Sequence, residues 1–99
     1  MNFDGIVVSD WKGYSRFGRH KIIDAGIDMV MAVDGDLDFF QKDLKKSVDS
    51  AIISNDRIDD AVKRILRQKF RLGLFEKPFP AKSLIQEIGK TAHRAVAKQ

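Results

Sequence analysis

Phe3-Asp4-Gly5-Ile6-Val7-Val8-Ser9-Asp10-Trp11 carries the first clear structural signal in this chain. Phe3 is followed by Ile6, Val7 and Val8 with no polar alternation. A continuous β-branched run of this kind is what a strand covered on both faces of a parallel sheet demands. The spacing therefore predicts a buried strand from Phe3 to Ser9, with Ser9-Asp10-Trp11 where the strand ends and its loop begins. From about Tyr14 to Ala25 the pattern changes to a helix carrying Phe17, Ile22 and Ile23, stopped by Gly26. Glycine suits that place because a left-handed helix terminus costs it little. Ile27 to Val33 supplies a second buried strand.

Asp34-Gly35-Asp36 follows as a loop, with Asp36 or Asp34 as the cap of the next helix. That helix runs from Leu37 to about Ala51, with Leu37, Phe40, Leu44, Val48 and Ala51 recurring every three or four residues. Ser54-Asn55-Asp56 opens a third helix. Its Ile58, Ala61, Val62, Ile65, Leu66 and Phe70 form one broad apolar stripe, and Gly73 ends it. Glu76 to Pro80, with two prolines, breaks the periodicity and reads as a linker. Lys82 to Gln99 is weakly helical.

The β-α-β-α alternation argues for an α/β protein with parallel strands joined by crossovers. Two strands neither close a barrel nor make a stable open sheet, and they leave strand edges and helix stripes uncovered. The sequence reads as a piece of something larger, or as one half of an oligomer.

Composition narrows the class. Of the 99 residues, 43% are apolar and 32% charged, the balance of a globular chain and not of a disordered or membrane-embedded one. The apolar runs Gly5 to Val8 and Met29 to Val33 are far too short to span a bilayer. No basic region followed by an apolar core stands at the N-terminus, so no secretory signal is visible. The chain has no cysteine, which removes disulfides and thiolate metal sites. Its net charge of +4 is mild. Lys63, Arg64, Arg67, Lys69 and Arg71 read as the solvated face of the third helix and not as a nucleic-acid footprint.

Asp10 is the residue best placed for chemistry. Ligands bind at the carboxyl ends of parallel strands in barrels and open α/β sheets alike. A carboxylate there, followed at once by an indole, suits carbohydrate: the acid can attack an anomeric carbon while Trp11 stacks on a sugar face. By spacing alone, Asp10 as a helix cap and Trp11 as core is the favoured reading. Met29 and Met31 read as core, with Met31 the nearer to a ligand because it lies closer to the strand's C-terminal end. Asp34, Asp36 and Asp38 hint at a calcium loop, but Phe39 stands where glycine is required and Lys45 where the closing glutamate belongs. Helix-start acids account for them better. His20 and His93 lack partners at metal-ligand spacing, so no metal or cofactor is expected.

Four segments together resemble family 3 of the glycoside hydrolases, the β-glucosidase family: Phe3 to Trp11, Ala25-Gly-Ile-Asp-Met-Val-Met31, Arg57-Ile-Asp-Asp-Ala-Val62 and Arg64-Ile-Leu-Arg-Gln-Lys-Phe-Arg-Leu-Gly-Leu-Phe75. They follow the family's order and come close to its spacing. Glu87-Ile-Gly to His93-Arg94 resembles the segment leading out of the barrel domain. The resemblance implies a fragment of a TIM-like (β/α)8 barrel, its last two β-α units, over residues 1–76. Residues 77–99 would be the linker and extra C-terminal helices leading out of it. In the Arg57 segment, Asp59 and Asp60 are expected in the first turn of the helix, where they complement its dipole.

It also implies that Asp10 is the nucleophile and that Trp11, with Met31 as a weaker candidate, lines the sugar subsites. The reaction implied is retaining hydrolysis of a β-linked glucoside or oligosaccharide through a glycosyl-enzyme intermediate on Asp10. That chemistry needs a second carboxyl roughly 5–5.5 Å away as acid/base, and the family draws it from a region beyond the barrel. This chain alone is accordingly expected to have little or no activity. The competing reading is a non-catalytic, helix-rich module that self-associates through its open strand edges or docks on a partner.

Overall fold

The computed structural model of the chain describes residues 3–33 and 35–99. Its elements are β1 (Val8–Trp11), α1 (Gly13–Arg16), α2 (His20–Asp24), β2 (Met29–Met31), α3 (Asp36–Asp49) and α4 (Asn55–Arg71). A 3-10 helix over Lys82–Glu87 and α5 (Thr91–Ala97) follow. The two strands are parallel neighbours, so the chain is a small mixed α/β unit.

β1 lies later than the apolar run predicts. The main chain at Val7 is paired differently from a ladder: its N–H donates to Asp28 Oδ2 at 2.9 Å, while its carbonyl accepts from both Asp28 and Met29. A side chain thus occupies the place of a strand partner, and the regular ladder begins only at Val8. At the other end Lys12 N–H donates to the Met31 carbonyl, which carries the pairing through Trp11. Asp10 and Trp11 are consequently strand residues and not the start of a loop. Val7 and Val8 are also exposed here, so the run Phe3 to Ser9 is not buried on both faces. Between the partners Val8–Met29 and Trp11–Met31 the register shifts, with two residues of β1 opposing one of β2. That is the signature of a bulge.

The helix expected over 14–25 is broken in two. Gly18 and Arg19 both have positive φ, 105° and 57°, which no helix tolerates. The Arg19 guanidinium lies over the Phe39 ring, 4.9 Å from its centroid. At the end of α2, Gly26 donates to Ile23 and Ile27 to Ile22, the paired bonds of a Schellman turn with glycine at its left-handed position. Gly73 closes α4 in the same way through Phe70 and Lys69. Ser54 caps α4, its hydroxyl accepting the Arg57 N–H at 3.2 Å. α3 departs from expectation at both ends: Gly35, not an aspartate, occupies the N-cap, and Ala51 lies beyond the helix at φ 54°. Asp36 and Asp38 sit in its first turn, and Asp34 lies outside the described residues.

Tyr14, Ile23 and Ile53 form the buried centre, with Ile27, Val30, Phe40, Val48 and Ile58 among the residues packed around them. Tyr14 meets Phe40 edge-on at 4.8 Å between centroids. This core is small. The chain exposes 8120 Å², against about 5,700 Å² for a compact monomer of its mass. Its radius of gyration is 18.0 Å, against about 13 Å for a compact domain of this length. Val62, Leu66 and Phe70 of the α4 stripe remain exposed, as do the apolar residues beyond Gly73 such as Phe79, Ile85, Ile88 and Val96.

One side chain ties the layers together. Arg57 reaches back from α4, donating through Nε to the Ile23 carbonyl at 2.7 Å and through Nη2 to the Ile27 carbonyl at 2.8 Å. Nη2 also meets Asp28 Oδ1 at 2.8 Å, with Arg57 13% and Asp28 2% exposed. Asp59 and Asp60, expected in the helix's first turn, both fall beyond it, and Asp60 pairs with Arg64 at 2.8 Å. That pairing, before any other influence, holds the Asp60 carboxyl below the usual carboxylate range. Arg64 and Arg71 further engage the N-terminal stretch through the Phe3 and Gly5 carbonyls and the Asp4 carboxylate.

Replacing Arg57 by alanine strands Asp28 as a buried, unpaired charge. The expected loss is about 3–5 kcal/mol, enough to unfold a marginal chain. Lys45→Ala breaks only a solvent-facing pair with Asp49 and should change stability by less than about 1 kcal/mol. Urea titrations followed by Trp11 fluorescence compare the two, and equal midpoints would refute the clamp.

Candidate functional site

The polar chemistry gathers where β1 and β2 reach their carboxyl ends. Ser9 is buried, while Asp10 and Trp11 face solvent. Asp10 Oδ1 accepts the Trp11 N–H at 2.7 Å, which fixes the carboxylate against its own main chain. Among the described residues Oδ2 accepts no hydrogen bond, so one oxygen is held and the other is open. Trp11, 58% exposed, is the register partner of Met31, 44% exposed. The structure therefore brings all three candidate residues to one strand end, with indole and thioether as neighbours across the ladder.

Below this edge the packing is firm. Tyr14 donates its phenolic O–H to Asp43 Oδ2 at 2.8 Å, tying the segment after Trp11 to α3. Ser15 Oγ donates to the Lys12 carbonyl at 3.2 Å and reaches Asp36 Oδ2 at 3.4 Å. The small recess lined by Lys12, Tyr14, Ser15, Met31 and Asp36 is too narrow to admit a water molecule. A larger cleft of about 360 Å³ lies among Phe3, Asp24, Arg57, Asp60 and Arg64, with the residues that clamp the fold. Neither His20, half-buried at the start of α2, nor exposed His93 in α5 joins the strand-end cluster. Among the described residues no group of three histidine or acidic side chains converges on a metal position. No helix among them is long and apolar enough to cross a membrane.

Sequence reasoning missed Arg57 and Ser9. Arg57 was legible only as part of a family-like segment, and its partners lie about thirty residues away. Ser9 carried no signal beyond its place before Asp10, yet its hydroxyl accepts the Met31 N–H at 2.9 Å.

The strand ends of this parallel α/β unit thus carry a half-free carboxylate and an exposed indole. Residues 1–68 match the model of the Glycosyl hydrolase family 3 N terminal domain, and the chain belongs to that family. It is 32% identical over 111 residues to a Lysosomal beta glucosidase of Dictyostelium discoideum, covering 98% of this chain and 13% of that protein. A Probable beta-glucosidase C of Aspergillus oryzae is 34% identical over 101 residues, covering 80% of this chain and 15% of the relative. For the Beta-glucosidase C of Emericella nidulans the identity is 31%, with 94% of this chain and 18% of the relative covered. The chain thus spans less than a fifth of the length of these relatives.

Tyr14 offers an independent check on the packing beneath the site. Burial first, and then the Asp43 carboxylate, push its pKa above the ordinary phenol value of 10.0. Above that value the unfolded chain loses the phenolic proton while the folded chain keeps it, so stability falls as pH rises. Tyr14 is the one tyrosine present, so the tyrosinate absorbance band reports it alone. The folded chain should show that band only at a pH above the ordinary value, and Tyr14→Phe should lessen the alkaline loss of stability. Ionisation of the folded chain near 10 would refute the contact.

Proposed function

We propose that this chain is the segment of a β-glucosidase-type hydrolase that supplies the nucleophile, as part of a (β/α)8 barrel whose last two β-α units it contributes. The observation that carries the reading is Asp10 Oδ2, open at a parallel strand end beside an exposed Trp11, in a chain of family 3. In the reaction, Oδ2 attacks the anomeric carbon of a β-glucoside, and the glycosidic oxygen leaves with a proton from an acid. The bond formed is the glycosyl ester to Asp10. Water then attacks the same carbon, deprotonated by that acid's conjugate base, and releases the sugar with retained configuration. Trp11 supplies a flat apolar surface for the pyranose ring, and Met31 borders it. The acid/base is to come from another region of the enzyme.

Treating the full-length enzyme with a mechanism-based fluorinated glucoside and mapping its peptides tests the assignment. Label is expected on the peptide bearing Asp10, and Asp10→Asn should lower turnover by at least about 10³-fold. Label on a peptide without Asp10 would sink it. Residues 1–99 alone should hydrolyse aryl β-glucosides hardly above the uncatalysed rate, because both acid catalysis and substrate positioning are lost. Turnover within tenfold of the full-length enzyme would refute this part.

The excess of exposed surface favours a second reading, in which the chain acts by association and not by catalysis. Val62, Leu66 and Phe70 would then be covered by another polypeptide or a second copy. Light scattering after size exclusion distinguishes the two: a monomer at all concentrations speaks against self-association.

A further inference from the structure

We propose that Ser9 and Gly13 are a positioning pair for Asp10, setting the orientation of the attacking oxygen through the bulge in β1; the inference rests on Asp10 being the nucleophile. Ser9 is 7% exposed, and its hydroxyl is used in both senses. It accepts the Met31 N–H at 2.9 Å and donates to the Asp10 carbonyl at 2.9 Å. Both bonds fall within the stretch where the register shifts between Val8 and Trp11. A bulge leaves main-chain groups without their ladder partners, and here a side chain provides the partner the ladder lacks.

Gly13 explains why the hydroxyl stays there. A Cβ at residue 13 would lie 2.8 Å from Ser9 Cβ and 2.9 Å from Ser9 Oγ. Gly13 does not have a positive φ, so the glycine answers a need for space and not for a special backbone conformation. The first residue of α1 sits directly against Ser9 and confines its hydroxyl beside β2.

The consequence for Asp10 is geometric. Its carbonyl is held by Ser9 Oγ, and its Oδ1 is held by the next N–H. With the peptide group that follows Asp10 held at its carbonyl and its N–H turned onto Oδ1, Oδ2 is left pointing from a defined origin. Without the Ser9 hydroxyl, the Met31 N–H and the Asp10 carbonyl both lose a partner, and the bulge can relax. A displacement of about 1 Å at a reacting atom costs about 10²-fold in rate.

The test uses the full-length enzyme and the rate at which a fluorinated glucoside traps Asp10. Rates are expressed per trapped site, so misfolded molecules drop out of the reading. Ser9→Ala and Gly13→Ala should each lower the limiting trapping rate by about 10–100-fold, with the half-saturating concentration changed less than about twofold. Ser9→Thr, which keeps the hydroxyl, should recover most of the rate. Unchanged trapping in both alanine variants would overturn the proposal, as would a loss confined to the half-saturating concentration. A Ser9→Thr variant as slow as Ser9→Ala would overturn the role of the hydroxyl bonds. Failure of the unsubstituted enzyme to trap on Asp10, with label elsewhere, would remove the nucleophile assignment and this inference together; normal trapping on Asp10 with unaffected variants removes this inference alone.

Discussion

The pairing of Arg57 with Asp28 is the constraint on which the arrangement depends. Asp28 holds the Arg57 guanidinium with one oxygen and the Val7 N–H with the other. The same guanidinium closes the carbonyls at the end of α2, where the helix dipole favours a cation. One side chain of α4 therefore fixes the turn after α2, the entry to β2 and the start of β1. A lysine could not do this, because the task needs a planar fork reaching two carbonyls and a carboxylate together. Burying such a pair is costly, and a well-packed apolar replacement could be as stable. What the pair contributes is location: Val7 is three residues from Asp10.

Energetically, the rest of the fold leans on little. Three buried side chains and their neighbours cannot supply the burial that a compact domain of this length enjoys. Helix capping does what it can, with Ser54 at one end of α4 and Schellman turns after α2 and α4. These are increments of about 1 kcal/mol each. The exposed side of the α4 stripe and the apolar residues beyond Gly73 are surfaces that would bury only against something else. That accords with a chain spanning less than a fifth of its relatives' length.

What was legible in the sequence was local. The α4 cap and its terminal glycine, the α2 terminus at Gly26 and the parallel order of two short strands all follow from patterns within a few residues. Two of the departures share one cause: bonds between residues far apart. β1 begins late because Asp28, twenty-one residues on, takes the Val7 N–H. The helix after Trp11 breaks because Gly18 permits a turn that lets Arg19 reach Phe39. Asp60 looked like a dipole partner and instead pairs with arginines one turn to either side. At the site, Asp10, Trp11 and Met31 could be named from the strand-end rule and the family resemblance. The hydroxyl bridge from Ser9 to Met31 could not, since a serine before an aspartate has no pattern that announces a bulge.

A nucleophile at the end of a short strand poses a particular physical problem in the proposed role. Retaining hydrolysis would fix the gap between two carboxyl groups at roughly 5–5.5 Å, and in that role the second carboxyl would arrive from a different part of the enzyme. The gap can be reliable only if each carboxyl is rigid within its own unit before the two meet. Asp10 satisfies its half of that condition through bonds made at the peptide that follows it. Its Oδ1 is bound to the adjacent N–H, and its carbonyl to a buried hydroxyl. The strand beneath is indexed by the Arg57–Asp28 pair. A nucleophile so placed would need no neighbouring charge to orient it, and the face around Oδ2 would be free for the proposed sugar and acid. In the proposed role, an open carboxylate oxygen beside an exposed indole would be what the local structure contributes by itself: half of an active site, held still.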